Sequence, residues 1–275
     1  MRIGVVTLRS NRELLHMRKA GLVVWQALQL AGEAVRPGAT TGEIDAVVDQ
    51  FFDSRQAIPL FKGVPGRVPF PAVTCISVNE EVVHGIPGPR ALKEGDVVSV
   101  DTGCRLNGWC GDSAMTFPVG RVSPEVQRLL DVTRGVLNLA IELMGTKTRW
   151  SEVAREMATY VRDNGFSVVE NFVGHGIGQK MHEEPQVPNF VSPQLRRAND
   201  FRLEPGLVIA VEPMVNMGTK KTKEMSDHWT QSTADGKPSA HFEHTVAMTH
   251  DGPWILTGPP TAEELQEMKS ESTRA

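Results

Sequence analysis

Four carboxylates and one imidazole end or interrupt apolar, strand-forming stretches of the sequence. They are Asp101, Asp112, His175, Glu212 and Glu243. Desolvated carboxylates are costly unless cations neutralise them, so a cluster of four would repel strongly. Two divalent ions would cancel four negative charges, and oxygen-rich ligation with one nitrogen suits Mn²⁺, Fe²⁺, Co²⁺ or Zn²⁺. The set therefore predicts a site for two divalent metal ions.

Each of these residues, taken alone, also has an ordinary explanation. An aspartate at the end of a strand is typical of a turn. His175, which lies among the glycines of residues 173–178, is typical of a structural position. The prediction of a metal site therefore depends on their joint occurrence, and not on any single residue.

A hairpin turn predicts how the two aspartates are arranged. Asn107-Gly108 lies between two strand-like runs and is the preferred two-residue hairpin turn. With these two residues as the loop, Gly103 pairs with Asp112, and Asp101 lies two residues from Gly103. The two carboxylates are then diagonal neighbours on one face of the hairpin, close enough to share a cation. A slip of one residue would place them on opposite faces.

Four helices are predicted, one pair at the start of each half of the chain. The first two begin at Ser/Thr-x-x-Glu capping boxes, and the third has proline in its first turn, where no hydrogen bond is lost. The fourth ends before Asn-Gly, which tolerates the left-handed cap conformation. The first helix is predicted to begin at Ser10 with Glu13, and the second at Thr40 with Glu43. The third is predicted from Ser123 to Gly145, and the fourth from about Ser151 to Asp163, before Asn164-Gly165.

Two strand-like segments echo each other at an offset of 111 residues. LKEGDVVSVD at 92–101 matches LEPGLVIAVE at 203–212, including the terminal carboxylates Asp101 and Glu212. A duplicated α+β unit explains the match, although a generic turn-plus-strand pattern can also produce it by chance. If the unit is duplicated, the two carboxylates face each other across the middle of one domain.

Composition describes a globular chain with no strong charge bias. The 275 residues are 40% hydrophobic and 23% charged, and 33 acidic against 29 basic residues give a net charge of −4. No global field would recruit DNA or an anionic membrane. The longest apolar stretch, 20–32, is too short to cross a bilayer, and the N-terminus lacks the pattern of a secretory signal. Cytoplasmic localisation is therefore expected.

The three cysteines, Cys75, Cys104 and Cys110, are an odd number without CxxC spacing. This pattern argues against a disulfide framework and against a thiolate zinc site. We expect reduced cysteines that lie mostly in the core.

Six motifs in order resemble the type I methionine aminopeptidases, from about Arg12 to Gly258. They are HGIP at 84–87, the Asp101–Asp112 spacing, GHGIG at 174–178, HEEPQVPNF at 182–190, VEPM at 211–214 and FEHTV at 242–246. The resemblance implies an α+β, duplicated pita-bread fold with a curved antiparallel sheet and two helix pairs on its outer face. It also implies one catalytic domain over 1–275, with pseudo-symmetric halves at about 11–120 and 121–258.

The resemblance implies a role for each ligand. Asp101 would hold one metal, His175 and Glu212 the other, and Asp112 and Glu243 would bridge both. The metals would activate a water for attack on a peptide carbonyl.

Beside the metals, the resemblance implies three catalytic residues. Glu212 would carry a proton from the attacking water to the leaving amine. His182 would donate to the carbonyl oxygen or scissile amide, and His84 would contact the substrate from the other side.

A pocket for the methionine side chain is expected from Phe70, Cys75 and Trp229. Met181 occupies a position where relatives usually carry an aromatic residue, and its flexible thioether can still pack against substrate. Gly103 stands where relatives often carry threonine, and the loop at 61–71 is slightly longer than usual. Both departures are expected to affect the rim of the pocket.

Several basic residues are predicted to lack a chemical role. His241, His244 and His250 are assigned to packing or surface positions, and His228 is a candidate for lining the cleft. The lysine-rich run at 219–223 is interpreted as a solvated hairpin tip, with a transient contact to ribosomal RNA as the alternative.

The expected activity is removal of the initiator methionine from nascent peptides with a small second residue, by a monomer. Two other functions are weighed against it. Proline-directed enzymes of the same fold normally carry an additional N-terminal domain, and inactive binding modules of this fold have typically lost metal ligands. All five ligands are present here, which favours a peptidase.

Overall fold

The computed structural model describes residues 6–193, 195 and 200–266. Within these residues, four long helices occur as two sequential pairs. They are α1 Asn11–Ala34, α2 Thr41–Ser54, α3 Pro124–Met144 and α4 Trp150–Asp163. No helix in this described part combines the length and apolar character needed to cross a bilayer.

The local signals at the helix ends behave as predicted. The Ser10–Glu13 and Thr40–Glu43 capping boxes are both formed, so each helix start satisfies backbone groups through its own side chains. Ser123 caps α3, which ends before Gly145. Helix α4 begins one residue before the predicted position and ends before Asn164-Gly165.

Among the described residues, the first half contains five strands and the second half ten. The first five are β1 Ile58–Pro59, β2 Thr74–Val78, β3 Glu81–Val83, β4 Val97–Leu106 and β5 Trp109–Pro118. The others are β6 Ser167–Val168, β7 Gly174–Gly176, β8 Glu183–Val187, β9 Val208–Val211, β10 Met214–Asn216, β11 Thr222–Glu224, β12 Gln231–Thr233, β13 Ser239–His241, β14 His244–Thr249 and β15 Gly252–Ile255.

All strand pairs in the described residues are antiparallel, and they form four hydrogen-bonded sheets. Strand β4 pairs with β1, β2 and β5, while β15, β14, β9, β7 and β8 form a five-stranded sheet in that order. Two three-stranded sheets, β13-β10-β6 and β11-β12-β3, complete the set. Helices and antiparallel sheets together confirm the α+β class.

Each helix pair packs on strands of its own half of the chain. Helices α1 and α2 pack on β2 and β4 through a core that includes Leu28, Ile44 and Phe52. Helices α3 and α4 pack on the second-half strands through a core that includes Trp150 and Met157. Burying one such side chain stabilises the fold by about 1.5–3 kcal/mol, so the two cores hold the strands rigidly beneath the helices.

Candidate metal centre and active site

The first two candidate ligands lie on the β4–β5 hairpin, in the predicted register. Asn107 and Gly108 form the turn, both with positive φ, 50° and 86°. Gly103 pairs with Asp112, and Asp101 is two residues further along β4. The two carboxylates therefore lie on the same face of the hairpin, as predicted from the turn.

The other three candidates are brought together by the five-stranded sheet. His175 is in β7, Glu212 directly follows β9, and Glu243 directly precedes β14. Strand β9 lies between β7 and β14, and His244 pairs with Val211 in the β14–β9 ladder. His175, Glu212 and Glu243 lie next to these paired residues, so they meet at one end of the sheet.

Hydrogen bonds join the hairpin to this sheet at the site. Glu243 N donates to Ala114 O at 2.9 Å. The hydroxyl of Thr245 donates to Asp112 O at 2.8 Å and accepts from Asp112 N at 3.1 Å. Thr245 was not singled out in the sequence, where its signal is only a hydroxyl residue next to the apolar run Val246–Met248. These two hydrogen bonds hold the backbone of Asp112 against β14, the strand that follows Glu243.

The ligand atoms converge. One ligand atom each from Asp112, His175 and Glu243 lie within 4.8 Å of one another. His175 Nε2 is 3.6 Å from Glu212 Oε1 and 3.9 Å from Asp112 Oδ2. Asp101 lines the same cavity as these four residues. The structure therefore brings all five predicted ligands to one cavity.

Burial changes the pKa values of these carboxylates, and no basic side chain in the described residues compensates for it. It raises the pKa of Asp101, Glu212 and Glu243 well above their ordinary values, with repulsion from neighbouring carboxylates adding to the effect. Burial also raises the pKa of Asp112 to about 7. No Lys or Arg side chain in the described residues forms an ion pair with them.

Three buried oxygens, Asp101 Oδ1, Asp112 Oδ1 and Glu243 Oε1, also lack a hydrogen-bond partner among residues 6–193, 195 and 200–266. Unpaired buried acceptors of this kind are normally satisfied by a hydrogen bond or a cation. An oxygen-rich set with one imidazole is the donor chemistry of divalent transition metals, so the residues present fit two such ions.

An apolar cavity of about 190 Å³ ends at the carboxylates. Phe70, Cys75, Met181 and Trp229 line it, which is the set expected for the side-chain pocket. Phe61 and Val64 line it as well and were missed in the sequence, because residues within the 61–71 loop carry no periodic pattern.

The two catalytic histidine candidates flank the site. His84 has φ of +60° and lies edge-on to Phe172 and Trp229, with ring centroids 5.6 and 6.4 Å away. Burial lowers the pKa of His84 to about 4. The His182 ring lies 4.3 Å from that of His175 in a T-shaped arrangement, and burial lowers its pKa too. Both imidazoles are therefore neutral near pH 7.

His241 lies in the site, contrary to its assignment to a packing or surface role. Its Nε2 is buried 3.9 Å from Glu212 Oε2 and has no hydrogen-bond partner in the part of the chain that the structure describes. It lines a second cavity of about 540 Å³ that shares His84, Asp101, His175, His182 and Glu212 with the first. The sequence interpretation failed because the pairing of β13 with β10, which places His241 beside Glu212, is not visible locally.

Three further histidines and the three cysteines also have predicted positions. His244 Nδ1 is 3.0 Å from Thr257 Oγ1, and His250 is exposed. His228 is not among the residues that line the two cavities described above, and its Nδ1 lies 3.6 Å from Glu224 Oε1, so its place in the cleft stays a prediction. The three cysteines are buried and free, as expected.

The lysine-rich run at 219–223 is not a hairpin tip. It forms the connection after β10 and the first part of β11, whereas the tip of the β11–β12 hairpin is residues 225–230. Lys220 Nζ pairs with Glu170 Oε2 at 2.7 Å, and Lys221 and Lys223 are exposed.

A site of buried carboxylates and imidazole beside a dead-end apolar cavity, on this antiparallel α+β framework, is that of a metal-dependent hydrolase. The model of "Metallopeptidase family M24" matches residues 15–250. The chain therefore belongs to metallopeptidase family M24 and has its pita-bread fold.

Individual proteins show the same relationship. The methionine aminopeptidase of Clostridium perfringens is 47% identical over 253 residues, which are 92% of this chain and 99% of that protein. The crystal structure of methionine aminopeptidase from Thermotoga maritima superposes with a TM-score of 0.87 at 38% identity, covering 93% of this chain and 100% of that one. The prolidase from Pyrococcus furiosus shares the fold alone, with a TM-score of 0.71 at 20% identity and coverage of 92% and 66%.

Proposed function

We propose that this metallopeptidase removes N-terminal methionine from peptides whose second residue is small. One observation carries the proposal: an apolar cavity of about 190 Å³ ends directly on the five candidate ligands. A linear, apolar side chain fits this cavity, and the peptide carbonyl next to it then lies at the carboxylates. The second residue must fit beside the ligands, which favours a small side chain.

We assign the two divalent ions to Asp101, Asp112, His175, Glu212 and Glu243. The unpartnered buried oxygens and the raised pKa values of the carboxylates support this assignment. Bound divalent ions would lower the pKa of an attacking water and polarise the peptide carbonyl. Mn²⁺, Fe²⁺, Co²⁺ and Zn²⁺ all suit these ligands.

The protein's own groups supply the proton transfers and the orientation of the substrate. Glu212, which bound cations would hold in its ionised form although burial raises its pKa in their absence, would accept a proton from the attacking water and pass it to the leaving amine. His182, neutral beside His175, donates from its ring N–H to the substrate carbonyl or amide. His84 is wedged between Phe172 and Trp229 and orients the substrate from the opposite wall.

The direct test is release of free methionine from Met-Ala-Ser by metal-stripped protein re-supplied separately with Mn²⁺, Fe²⁺, Co²⁺ and Zn²⁺. Metal-dependent release is the expected result. Glu212→Gln keeps the size of the side chain and removes its basic oxygen, so it should lower kcat by at least about 100-fold. An unchanged rate in this variant would overturn the assigned chemistry, and no release with any metal would overturn the function.

Cleavage of X-Pro bonds is the second candidate, because a prolidase shares the fold. Ala-Pro-Ala is the comparison substrate. Cleavage of this peptide without methionine release would move the assignment to the proline-directed class. A binding module without activity would bind peptide but release nothing with any cation.

We also propose that the enzyme is a monomer in the cytoplasm, where it meets nascent chains. Lys221 and Lys223 are exposed and support a salt-sensitive contact with ribosomal RNA, whereas Lys220 is neutralised by Glu170. Replacing Lys221 and Lys223 with Gln should weaken co-sedimentation with ribosomes at low salt, and Lys93→Gln, at an exposed lysine elsewhere, is the control. Unchanged co-sedimentation would discard the contact.

We infer that residues 1–275 form one catalytic domain with duplicated halves at about 11–120 and 121–258. Gly95 and Gly206, 111 residues apart, both adopt positive φ, 90° and 96°, in the turns before β4 and β9. Each half also contributes a helix pair that packs on its own strands. Limited proteolysis tests the single domain, because a cleavage product that retains a cooperative unfolding transition alone would contradict it.

A further inference from the structure

Residues 65–69 form an excursion, which is a short loop that leaves the wall of the apolar pocket after Val64 and returns to it at Phe70. Its neck is closed by two backbone hydrogen bonds, Gly63 N to Phe70 O at 2.8 Å and Phe70 N to Val64 O at 3.0 Å. Val64 and Phe70 both line the pocket. The excursion therefore begins and ends at the pocket wall, and any movement of its neck would change that wall.

The far end of this excursion contacts Trp229. The indole Nε1 donates to the carbonyl of Val68 at 2.8 Å. Gly66 lies so close to the ring that a Cβ at this position would be 2.4 Å from Trp229 Cζ2. The Val68 side chain is 57% exposed, so the contact is made by a carbonyl and a glycine and not by apolar side chains.

Trp229 is itself on a loop, the tip of the β11–β12 hairpin. Asp227 Oδ1 accepts hydrogen bonds from the backbone of Trp229 and Thr230, both at 2.9 Å, which orders the end of this tip. The indole then lies edge-on to Phe70, with ring centroids 5.2 Å apart. Its position in the pocket wall is thus determined by the tip on one side and by residues 65–69 on the other.

We propose that residues 65–69 act as a clasp that holds Trp229 as the outer wall of the side-chain pocket and thereby determines which N-terminal residue is accepted. The proposal rests on the proposed function and names the element that sets its selectivity. A wall fixed by a hydrogen bond and a close ring contact cannot move outward for a wider side chain. An unbranched thioether enters the cavity, whereas the wider leucine and phenylalanine side chains require the indole to move.

The test compares kcat/KM for Met-Ala-Ser with kcat/KM for Leu-Ala-Ser and Phe-Ala-Ser. Gly66→Ala places a methyl against the indole and should displace it, lowering the preference for methionine by about 10-fold, the scale of discrimination by apolar pocket contacts. Trp229→Phe keeps a ring but removes the N–H that binds Val68 O, and should lower the preference in the same direction. Gly88→Ala is the matched control, because a Cβ there meets nothing within 4 Å.

A double-variant cycle distinguishes the clasp from a general disturbance of the loop. With Trp229→Ala, a methyl at position 66 has no ring to displace, so Gly66→Ala should then change the preference little further. Equal effects of Gly66→Ala in both backgrounds would overturn the clasp, as would an unchanged preference in Gly66→Ala and Trp229→Phe. Wild-type protein that releases no methionine would instead overturn the proposed function. Melting temperatures and the affinity for free L-methionine, measured by calorimetry, identify any variant that has simply lost its fold.

Discussion

Arg9 and Glu183 form an ion pair that fastens the start of α1 to the turn bearing Met181 and His182. The other oxygen of Glu183 accepts from Lys180 N at 3.1 Å, within the same turn. The Arg9 guanidinium also lies 5.4 Å from the centre of the Trp109 ring. Arg9, which is distant in sequence from the pocket residues, thus holds the turn that carries Met181 of the pocket wall and His182, the proposed proton donor.

Arg9→Met is therefore expected to act on catalysis through position. Without the guanidinium, the partly buried Glu183 carboxylate loses its partner and the turn carrying His182 shifts. Misplacement by about 1 Å costs up to about 100-fold in rate, so kcat/KM for Met-Ala-Ser should fall by about 10- to 100-fold. Steady-state kinetics measure the change. Arg9→Lys should recover part of the loss, and Arg12→Met, at an exposed position, serves as control. Equal rates in Arg9→Met and Arg12→Met would contradict this role.

The metal-free protein should lose stability as pH rises above about 6.5. Folding raises the pKa of Asp101, Asp112, Glu212 and Glu243, so the native state keeps protons that the unfolded chain has released. Stability from such groups is complete at low pH and is lost as pH rises through the native pKa, about 7 for Asp112.

Buried histidines act in the opposite direction, but only at lower pH. Burial lowers the pKa of His84, His175 and His244 to about 4, and that of His241 to about 3. Their contribution rises with pH and is complete above the unfolded value of about 6.5. Between that value and about pH 8, which lies below the pH at which unfolded cysteine thiols are mostly ionised, the carboxylates dominate the change in stability. Urea unfolding of stripped protein should therefore show a loss on the order of 1 kcal/mol between about pH 6.5 and 8.

Added Mn²⁺ should stabilise the protein more at the higher pH, because ligands must lose their protons to bind a metal. Urea titrations with and without Mn²⁺ at the two pH values measure this increment. An increment that does not depend on pH would mean that the four carboxylates are not the ligands.

Arg18 is expected to be critical for stability and not for chemistry. Its buried guanidinium donates to the carbonyls of Leu256, Gly258 and Pro259 and to the carboxylate of Glu264. Arg18→Met leaves these acceptors unpaired and should lower the free energy of unfolding by about 3–5 kcal/mol. Urea unfolding measures the loss. Lys19→Met, at the exposed neighbouring position, should change it by less than about 0.5 kcal/mol.

The features that could be predicted from the sequence are those with local causes. The Asn107-Gly108 turn determines the β4–β5 register, and therefore the shared face of Asp101 and Asp112, over a few residues. Capping boxes define where α1 and α2 begin for the same reason. The meeting of His175, Glu212 and Glu243 depends on pairings between distant strands. The sequence predicts it through the joint occurrence of these residues beside apolar stretches and through the family resemblance, and their spacing alone does not.

The features that escaped prediction depend on contacts between distant segments. His241 was assigned to packing because nothing near it in sequence shows that β13 lies beside Glu212. Phe61 and Val64 enter the pocket through an irregular loop, which has no periodicity to interpret. The lysine-rich run was misplaced because the β11–β12 register puts the hairpin tip further along the chain.

His241 should influence metal binding without being a ligand. Its neutral Nε2 is buried 3.9 Å from Glu212 Oε2, with no other partner, so an N–H there favours the ionised form of Glu212 that a metal needs. Groups that support a ligand in this way typically contribute 10- to 100-fold in metal affinity, so His241→Leu should weaken Mn²⁺ binding by about 10-fold or more.

Calorimetric titration of Mn²⁺ into the stripped protein measures the affinity directly, without depending on activity. His241→Gln retains a donor of similar reach and should bind Mn²⁺ more tightly than His241→Leu. His250→Leu, at an exposed position, should bind as the wild type does. If His241→Leu binds Mn²⁺ as tightly as the wild type, His241 does not support Glu212, and its unpartnered nitrogen must serve the substrate cavity that it lines.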